Sequence, residues 1–388
     1  MRIFILGAGA TGAFLGRLLA RQGHSVWFAD RDPQRARRFL DPALPCQPVS
    51  ARNLWGLVRA GRGCHLLVNA APAAFNHTVL RAALRLRAHY LDMASHLSRH
   101  PFKAEQLRFD EKFRGKRRAA LITVGVAPGL TNLIVKRSAE LCERLQQVQI
   151  RLYESTQSED PVSTWSAETA FDEAVSRPRV YRAGRFRFAP RFGEPEWFRF
   201  PAPMGRTRVV LAAQDEVGTL PHFIPMQDMD VKIGGNEIDR LRRWYHQGKL
   251  RPSATLVKKR FPRTPTPRQV ARLIRRGLLS NARFAAVVVV RGRRADQEVE
   301  FRWSCAVPTL YQIRLKGLHA TPIAYATAHT AALFIKHFPR KLWGVHPPET
   351  LPGEVRRAIL GELKSRGIEI TLKKKQWKRP EEEEDEDF

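Results

Sequence analysis

Three glycines near the start of the chain, Gly7, Gly9 and Gly12, have the GxGxxG spacing of a phosphate-binding turn. They follow an apolar run rich in strand-forming residues and open a segment with apolar residues at helical spacing. The first glycine allows a tight turn, the second lets the backbone approach a pyrophosphate, and the third packs helix against sheet. Free N–H groups at the helix start, at Ala10 and Thr11, would attract the phosphates.

An acidic residue, Asp30, ends the next apolar run, near the spacing at which a carboxylate reaches the adenosine ribose of a dinucleotide. A carboxylate accepts hydrogen bonds from ribose hydroxyls and repels a 2′-phosphate, so Asp30 favours NAD. Arg31 follows directly and, together with Arg35, fits a 2′-phosphate instead. The sequence therefore predicts NAD, with NADP as the alternative.

A second candidate cofactor contact is the segment from Asn69 to Pro72, which begins at the last residue of the predicted strand 65–69. In open parallel sheets, ligands bind at the carboxyl ends of the strands. The small side chain of Ala70 would let a cofactor approach, and Asn69 would hydrogen-bond its ribose. An ordinary turn between a strand and a helix explains the same residues equally well.

The elements that must position these residues alternate between strand and helix through residues 1–124. Such alternation predicts an α/β fold, here a doubly wound parallel sheet of the Rossmann type. After 124 the pattern changes to longer alternating strands and scattered helices, which predicts a second, mixed α+β domain over 125–319 for substrate binding and dimerisation. The acidic run in 376–388 predicts a disordered tail, because blocks of like charge repel.

Composition limits the function classes. The chain has 388 residues, which favours two domains, and its apolar fraction of 43% is ordinary for a globular protein. No apolar run is long enough to span a bilayer, and the four cysteines are scattered without metal-site spacing, so we expect a cytoplasmic protein with reduced thiols and no metal. The net charge of +30 is spread along the chain, so we expect solvated surface and no specific nucleic-acid partner.

Beyond the glycine turn, a series of motifs resembles a known family. In chain order they are GAGATG, VNAAPAAFN (68–76), YLDMASH (90–96), GVAPGLTN (125–132) and GVHPPE (344–349). Together they resemble the saccharopine dehydrogenase/reductase-like family, and within it most closely the lysine 6-dehydrogenases. The likeness extends over nearly the whole chain and is weakest from about residue 250 to 285 and in the acidic tail.

The resemblance implies a role for the segment between the domains. Gly125, Val126, Ala127 and Pro128 would line the nicotinamide, and Asn132 would lie near the substrate. Saccharopine reductases usually carry an acidic residue where this chain has Ala127, whereas lysine 6-dehydrogenases share the alanine. The resemblance therefore favours lysine oxidation over a reaction of saccharopine. The resemblance also implies that residues 320–375 return to pack on the first domain.

The implied chemistry is hydride transfer at a CH–NH group of a lysine-like amino acid or its imine. An amine must be neutral to lose hydride, so a group that titrates near neutrality should accept its proton. Asp92 and His96, at a strand end and in the loop after it, are the first candidates. An aspartate that caps a helix and a surface histidine would explain the same residues.

Further substrate contacts are expected from the second domain. His222 is the second candidate for proton transfer, with Glu216 and Thr219 nearby in sequence, and Trp165 is a candidate substrate contact that more often would pack a core. Two alternatives stay open. One is an imine reductase forming a saccharopine- or carboxynorspermidine-like product, and the other is a dinucleotide-binding sensor or scaffold without turnover. A homodimer is expected.

Overall fold

The computed structural model describes residues 1–96, 100–159, 162–164, 166–250, 264–339 and 341–377. Within these ranges the first sheet is entirely parallel, and its strands are β1 (Arg2–Leu6), β2 (Ser25–Asp30), β3 (Cys46–Pro48), β4 (Leu66–Asn69), β5 (His89–Asp92), β6 (Ala119–Leu121) and β15 (Gly344–His346). Their order across the sheet is β15-β6-β5-β4-β1-β2-β3. This is the doubly wound arrangement that the alternating sequence predicts.

The helices that connect these strands are α1 (Ala10–Arg21), α2 (Pro33–Ala36), α3 (Leu54–Ala60), α4 (Asn76–Leu86) and α5 (Asp110–Gly115). The strands read as continuous apolar runs because helices cover both faces of the sheet, and Ile3, Phe4 and Ile5 are all fully buried. The charged, amphipathic pattern of residues 103–114 predicts one helix, but the α-helix observed there is shorter. It begins as a 3₁₀ turn at Glu105–Phe109 before α5 starts.

The second sheet is mixed, and its strands are β7 (Arg144–Ser158), β8 (Arg179–Arg182), β9 (Arg185–Phe188), β10 (Glu196–Arg199), β11 (Arg206–Leu211), β12 (Asp228–Gly234), β13 (Leu279–Arg294), β14 (Gln297–Ala306) and β16 (Glu369–Gln376). Its main path is β10-β11-β12-β7-β13-β14-β16, with β8 paired to β12 and to β9. The hairpin expected over 284–307 is present as β13 and β14. Ala295 and Asp296 form its turn in the left-handed region.

The second domain and the C-terminal part contribute α6 (Leu130–Ala139), α7 (Ala167–Val175), α8 (Leu220–Phe223), α9 (Asn236–His246), α10 (Pro267–Arg275), α11 (Leu310–Leu315), α12 (Pro322–Lys336) and α13 (Gly353–Glu362). The helical spacing of residues 163–175 predicts a helix that starts at Ser163, but α7 begins later, at Ala167. The hydroxyl of Ser166 accepts the N–H of Thr169 and so caps this helix.

The C-terminal segment 320–375, expected to pack on the first domain as a unit, is divided between the two domains. Helix α12 packs against α1, and β15 extends the parallel sheet beside β6. Strand β16 instead pairs with β14 in the second sheet, where it supplies hydrogen-bond partners to an edge that would otherwise be open. Gln376, expected in the tail, is the last residue of this strand, and 378–388 lie outside the described residues.

The architecture is therefore a Rossmann-type parallel sheet joined to a mixed α+β domain, as predicted. The four cysteines carry free thiols. In the part of the chain that the structure describes, no helix combines the length and the apolar character needed to cross a membrane.

Candidate functional site

The glycine turn between β1 and α1 is shaped by close approach to the loop after β4. Gly7 has a φ of +96°, and a Cβ on it would lie 2.7 Å from the carbonyl carbon of Ala70. A Cβ on Gly12 would lie 2.1 Å from the Gly7 oxygen. A Cβ on Gly9, in contrast, would meet no atom within 4 Å. Gly7 and Gly12 therefore must be glycine because the protein's own atoms leave no room for a side chain. Gly9, in contrast, faces open space.

The start of α1 fits an anion in that open space. Gly9 is the N-cap and supplies no side chain to cap the helix, and the first turn contains no acidic residue. The first N–H groups of a helix, here those of Ala10, Thr11 and Gly12, have no partners within the helix. These donors and the positive end of the helix dipole are what a pyrophosphate requires, so the residues present fit a dinucleotide.

Asp30 lies at the end of β2 beside this turn and is half-buried. Its Oδ2 atom accepts the N–H of Ala8 at 2.9 Å, and its Oδ1 atom accepts the N–H of Asp32 at 3.0 Å. Asp30 therefore ties the glycine turn to the strand end, and its remaining lone pairs suit a ribose hydroxyl. Arg31 is exposed next to it.

Asn69 has an internal role. Its side chain is 2% exposed, donates to Asn76 Oδ1 at 2.7 Å and accepts the N–H of Ala71 at 3.1 Å. These bonds hold the loop in which Ala70 lies close to Gly7. Pro72 caps the short 3₁₀ turn that follows. The side chain of Asn69 therefore shapes this loop, and its contact with a ribose stays a prediction.

The segment Gly125–Pro128 lies at the carboxyl end of the parallel sheet, where ligands bind in such folds. The N–H of Val124 bonds to the carbonyl of Asp92 at 3.0 Å, which joins the segment to the end of β5. A Cβ on Gly125 would lie 3.3 Å from Thr327 Cγ2 of α12 and 3.4 Å from the carbonyl oxygen of Met93. Three separate parts of the chain therefore meet at Gly125.

Asp92, the first candidate for proton transfer, is 1% exposed and is held on three sides. Its carboxyl accepts the N–H of Thr123 at 2.8 Å, the Tyr90 hydroxyl at 2.8 Å and Gln106 Nε2 at 3.1 Å. Burial raises the pKa of Asp92 to about 7, against the opposing effect of these hydrogen bonds. His96 is half-buried and is not among these partners. These bonds hold Asp92 at the strand end, and its part in proton transfer stays a prediction.

A different polar cluster forms around Asn132, which is fully buried in the first turn of α6. Its Oδ1 atom accepts the N–H of Gly129 at 3.0 Å. Its Nδ2 atom donates to Thr219 Oγ1 and to Glu349 Oε2, each at 3.0 Å. The amide therefore joins the segment after the parallel sheet to the second domain and to the C-terminal part of the chain.

Glu216 enters the same cluster through Thr131, whose hydroxyl donates to Glu216 Oε1 at 2.9 Å. Glu216 and Glu349, which we name the carboxyl pair, are 0% and 2% exposed. Burial raises the pKa of each to about 7. The charges of Asp215 and Glu349 raise the pKa of Glu216 further, whereas hydrogen bonds from Thr219 and Asn132 lower the pKa of Glu349. Glu216 Oε2 and Glu349 Oε1 have no hydrogen-bond partner among the described residues.

Of the other expected contacts, His222 lies within the described residues. His222 is exposed, its Nε2 atom lies 2.6 Å from the carbonyl oxygen of Phe102, and its ring stacks on Phe186 at 4.9 Å. Its side chain therefore faces these two residues and not the carboxyl pair. Trp165 lies outside the described residues.

Sequence reasoning missed the partners that complete the cluster. Asn132, Glu216 and Thr219 are brought together as substrate-site candidates, but Thr131 and Glu349 were not anticipated. Glu349 ends the GVHPPE motif, so a signal for it was present. Thr131 lies beside Asn132 and had no signal of its own.

Comparison with known proteins agrees with the geometry of the first domain. Residues 3–121 match the family model described as the saccharopine dehydrogenase NADP binding domain. The first domain is thus similar to this family over nearly its whole length. The saccharopine dehydrogenase-like resemblance of the sequence is thereby confirmed, as is the expectation of a nicotinamide dinucleotide as cofactor.

Solved structures extend the likeness beyond that domain. The apo saccharopine dehydrogenase (L-Glu forming) of Saccharomyces cerevisiae superposes with a TM-score of 0.70 at 11% identity, covering 97% of this chain and 100% of the yeast chain. DAP dehydrogenase of C. glutamicum has a TM-score of 0.46 at 11% identity, covering 92% of this chain and 95% of that one. The first value shows that the saccharopine dehydrogenase-like fold extends through both domains of this chain.

Proposed function

We propose that this protein is an NAD(P)-dependent oxidoreductase acting on the CH–NH group of a lysine-like amino acid or of its imine. The observation that carries the proposal is the carboxyl pair. It is buried and bonded to Thr131 and Asn132, in the first turn of α6, which follows the segment Gly125–Pro128. The family of the first domain and the saccharopine dehydrogenase-like fold support the same class of reaction.

The cofactor would be held by the residues already described. The N–H groups of Ala10, Thr11 and Gly12 would bind the pyrophosphate, and Asp30 would bind the adenosine ribose. Gly125 and its neighbours would line the nicotinamide. When bound, the nicotinamide supplies the acceptor or donor of hydride. We expect Asp30 to favour NAD, with Arg31 as the residue that would accommodate NADP.

The protein's own contribution is proton handling. An alkylamine with a pKa of about 10.4 is almost fully protonated at neutral pH, so it must lose a proton before its carbon can give up hydride. Glu216 Oε2 would accept that proton, because it has no partner among the described residues and because its pKa of about 7 balances both protonation states. Thr131 and Asn132 fix the orientation of Glu216 and Glu349, respectively.

The alternative proton acceptor is His96, with Asp92 as a positioning residue for the strand end. Both proposals predict an oxidative rate that rises with pH, but they differ in which variant removes the titration. Glu216→Gln should abolish the limb near pH 7 if Glu216 is the acceptor. If His96→Gln abolishes it and Glu216→Gln does not, the acceptor is His96.

The experiment that tests the proposed function is a substrate panel with both cofactors. The full chain is incubated with L-lysine, saccharopine, other α-amino acids and simple amines, with NAD or NADP, and reduced nicotinamide is followed by absorbance. The reverse direction uses cyclic imines and pairs of an amine with a keto acid. Turnover with an amine or imine supports the proposal. Tight dinucleotide binding without turnover on any member would overturn it and favour a sensor.

A further inference from the structure

A cavity of about 30 Å³ lies at the junction of the two domains, and we name it the junction cavity. The first domain contributes one side of α1 and Phe39, the second domain contributes α10 and α11, and the turn before α12 also lines the cavity. Its apolar walls include Ala13, Phe14, Val270 and Leu310. Since roughly 10–15 Å³ of such space holds one water molecule, the cavity has room for about two or three heavy atoms.

The junction cavity lies on the side of α1 that faces away from the parallel sheet. Phe14 and Arg17 line it and are three residues apart, on one face of the helix. Gly16 lies on the opposite face, where a Cβ would clash with the Phe28 ring of the sheet. The glycine turn lies between β1 and the start of α1, and Ala10 is the lining residue that the cavity shares with the proposed pyrophosphate site.

The polar side chains of the junction cavity carry positive charge without a matching negative charge. Arg17, Arg314 and His319 line the cavity, and none of its described lining residues is acidic. Arg17 and Arg314 are half-buried, whereas His319 is exposed and marks the opening of the cavity to solvent. Neither guanidinium group has a hydrogen bond, an ion pair or an aromatic contact among the described residues.

Other half-buried arginines of this chain have a carboxylate partner. The Nη2 atom of Arg182 lies 2.8 Å from Asp230 Oδ2, and the Nε atom of Arg291 lies 2.8 Å from Glu300 Oε2. A guanidinium that loses part of its hydration without gaining an anion is unfavourable. The two arginines of the junction cavity therefore lack the partner that comparable arginines have, and an anion from solution would supply it.

We propose that the junction cavity binds a carboxylate that carries a short aliphatic chain. The guanidinium groups of Arg17 and Arg314 would bind the carboxylate, because arginine presents parallel N–H donors that match its two oxygens. The apolar walls at Phe14, Phe39 and Leu310 would contact the aliphatic chain. An inorganic anion would leave these walls without contact, and a neutral aliphatic molecule would leave the guanidinium groups without a charged partner.

Such a ligand would contact both domains, since Arg17 belongs to α1 and Arg314 to α11. By binding only the folded chain it would stabilise the packing of the second domain against the first. The site does not fit the amine of the proposed reaction, because two guanidinium groups repel an ammonium group. The inference therefore goes beyond the proposed function and does not depend on it.

The test measures binding of three small molecules to the full chain at pH 7 by ligand-observed NMR titration. Butanoate has a carboxylate and a propyl chain that matches the size of the cavity. Acetate keeps the charge with a shorter chain, and butanamide keeps the chain without the charge. We expect butanoate to bind about tenfold more tightly than acetate, because two more methylene groups are buried. It should bind about fivefold more tightly than butanamide, because its hydrogen bonds with arginine are charge-assisted.

Variants show whether binding occurs in the junction cavity. Arg17→Gln and Arg314→Gln should each reduce the affinity for butanoate to that for butanamide and leave the affinity for butanamide unchanged. Arg21→Gln, at an exposed position one turn further along α1, is the matched control and should bind all three probes as wild type does. Val270→Phe fills the cavity and should remove binding of all three probes, and its normal titration with a dinucleotide shows that this variant is folded.

Competition with the cofactor completes the test. Saturating NADH should not displace butanoate, because the cavity lies on the other side of α1 from the sheet. Equal affinities of wild type for butanoate and acetate, or an effect of Arg21→Gln as large as that of Arg17→Gln, would overturn the inference and assign the binding to the general positive charge of the surface. Displacement by NADH would overturn it by assigning the cavity to the dinucleotide site. Failure of the proposed function would instead appear as an absence of turnover in the substrate panel, with these binding results unchanged.

Discussion

The glycine turn and the carboxyl pair are both built for ligand chemistry, but they are made in opposite ways. The glycine turn consists of backbone, and its partners come from neighbouring strands of one sheet. The carboxyl pair consists of buried side chains whose partners are far apart in sequence, 85 residues for Thr131 and Glu216 and 217 residues for Asn132 and Glu349. The first site has no room for a side chain at Gly7 or Gly12, whereas the second depends on several side chains.

The difference shows that the first kind of site depends on local structure and the second on tertiary packing. An anion site made of N–H groups needs only a turn and a helix start, so it forms with the local fold. A carboxyl with a pKa near 7 needs burial, and burial requires the packing of both domains. The chemistry of the second site should accordingly be the more sensitive to single substitutions, and the variants below test this.

The largest effect is expected at the carboxyl pair. Glu216→Gln keeps the shape of the side chain and its bond with Thr131, but it removes the proton acceptor. General acid–base groups contribute about 10²–10⁴-fold, so we expect kcat to fall by at least about a hundredfold. Steady-state kinetics across pH checks this, and the dissociation constant of the dinucleotide should not change. A Gln variant with the rate and pH profile of wild type would exclude Glu216 from the reaction.

The glycine turn offers a matched pair of variants. Gly9→Val places a branched side chain in the space proposed for the pyrophosphate, and a loss of about 2–3 kcal/mol in binding, roughly a hundredfold, is expected. Its melting temperature should stay near wild type, because a Cβ there meets nothing within 4 Å. Gly12→Ala should lower both affinity and stability, since its Cβ would lie 2.1 Å from the Gly7 oxygen. Normal dinucleotide titration by Gly9→Val would contradict the assignment of the turn.

The Asn132 amide should show the cost of breaking the cluster without removing a carboxyl. Asn132→Ala leaves Thr219 Oγ1 and Glu349 Oε2 without this donor, and each buried polar group left unpaired costs about 1–3 kcal/mol. Chemical denaturation should show a loss of this size. Asn132→Asp retains an acceptor for Gly129 but adds a charge beside Glu349, so it should not rescue stability at pH 8. Stability equal to wild type in Asn132→Ala would mean that the cluster does not hold the domains together.

A smaller effect concerns pH and stability. Glu216 has a pKa of about 7 in the folded protein and an ordinary value of 4.5 when unfolded, so the folded state binds its proton more tightly. Its contribution to the free energy of unfolding is therefore greatest at acid pH and decreases as pH rises from 4.5 through 7. Relative to wild type, Glu216→Gln should become more stable between pH 5 and pH 8. A difference that does not vary with pH would show that Glu216 ionises normally.

The least drastic variant addresses cofactor choice. Asp30→Ala removes the carboxylate expected to favour NAD, so the affinity for NAD should weaken more than that for NADP, by a few-fold. Part of the loss will be common to both, because Asp30 also accepts the N–H of Ala8 and holds the turn. The ratio of the two dissociation constants separates these roles. An unchanged ratio would move the selection of the ribose to Arg31 and Arg35.

The sequence by itself determined the first domain and its glycine turn. Apolar runs such as Ile3 to Leu6 predict a strand that is buried on both faces. The spacing of the glycines that follow predicts a tight turn between this strand and a helix. Both features can be recognised from neighbouring residues alone. The substitution-intolerant positions Gly7 and Gly12 were identified from spacing, and the structure gives the reason, which is the approach to Ala70.

Only the tertiary structure decided what the polar side chains do. Asp92 has the sequence position of a catalytic residue, and only the structure shows that Thr123, Tyr90 and Gln106 donate hydrogen bonds to its carboxyl, while its part in proton transfer stays a prediction. Glu349 ends the GVHPPE motif, but it acquires a pKa near 7 only because the C-terminal part of the chain returns to bury it beside Asn132. Burial and long-range pairing set the pKa of a carboxyl, and neither is encoded in the residues next to it.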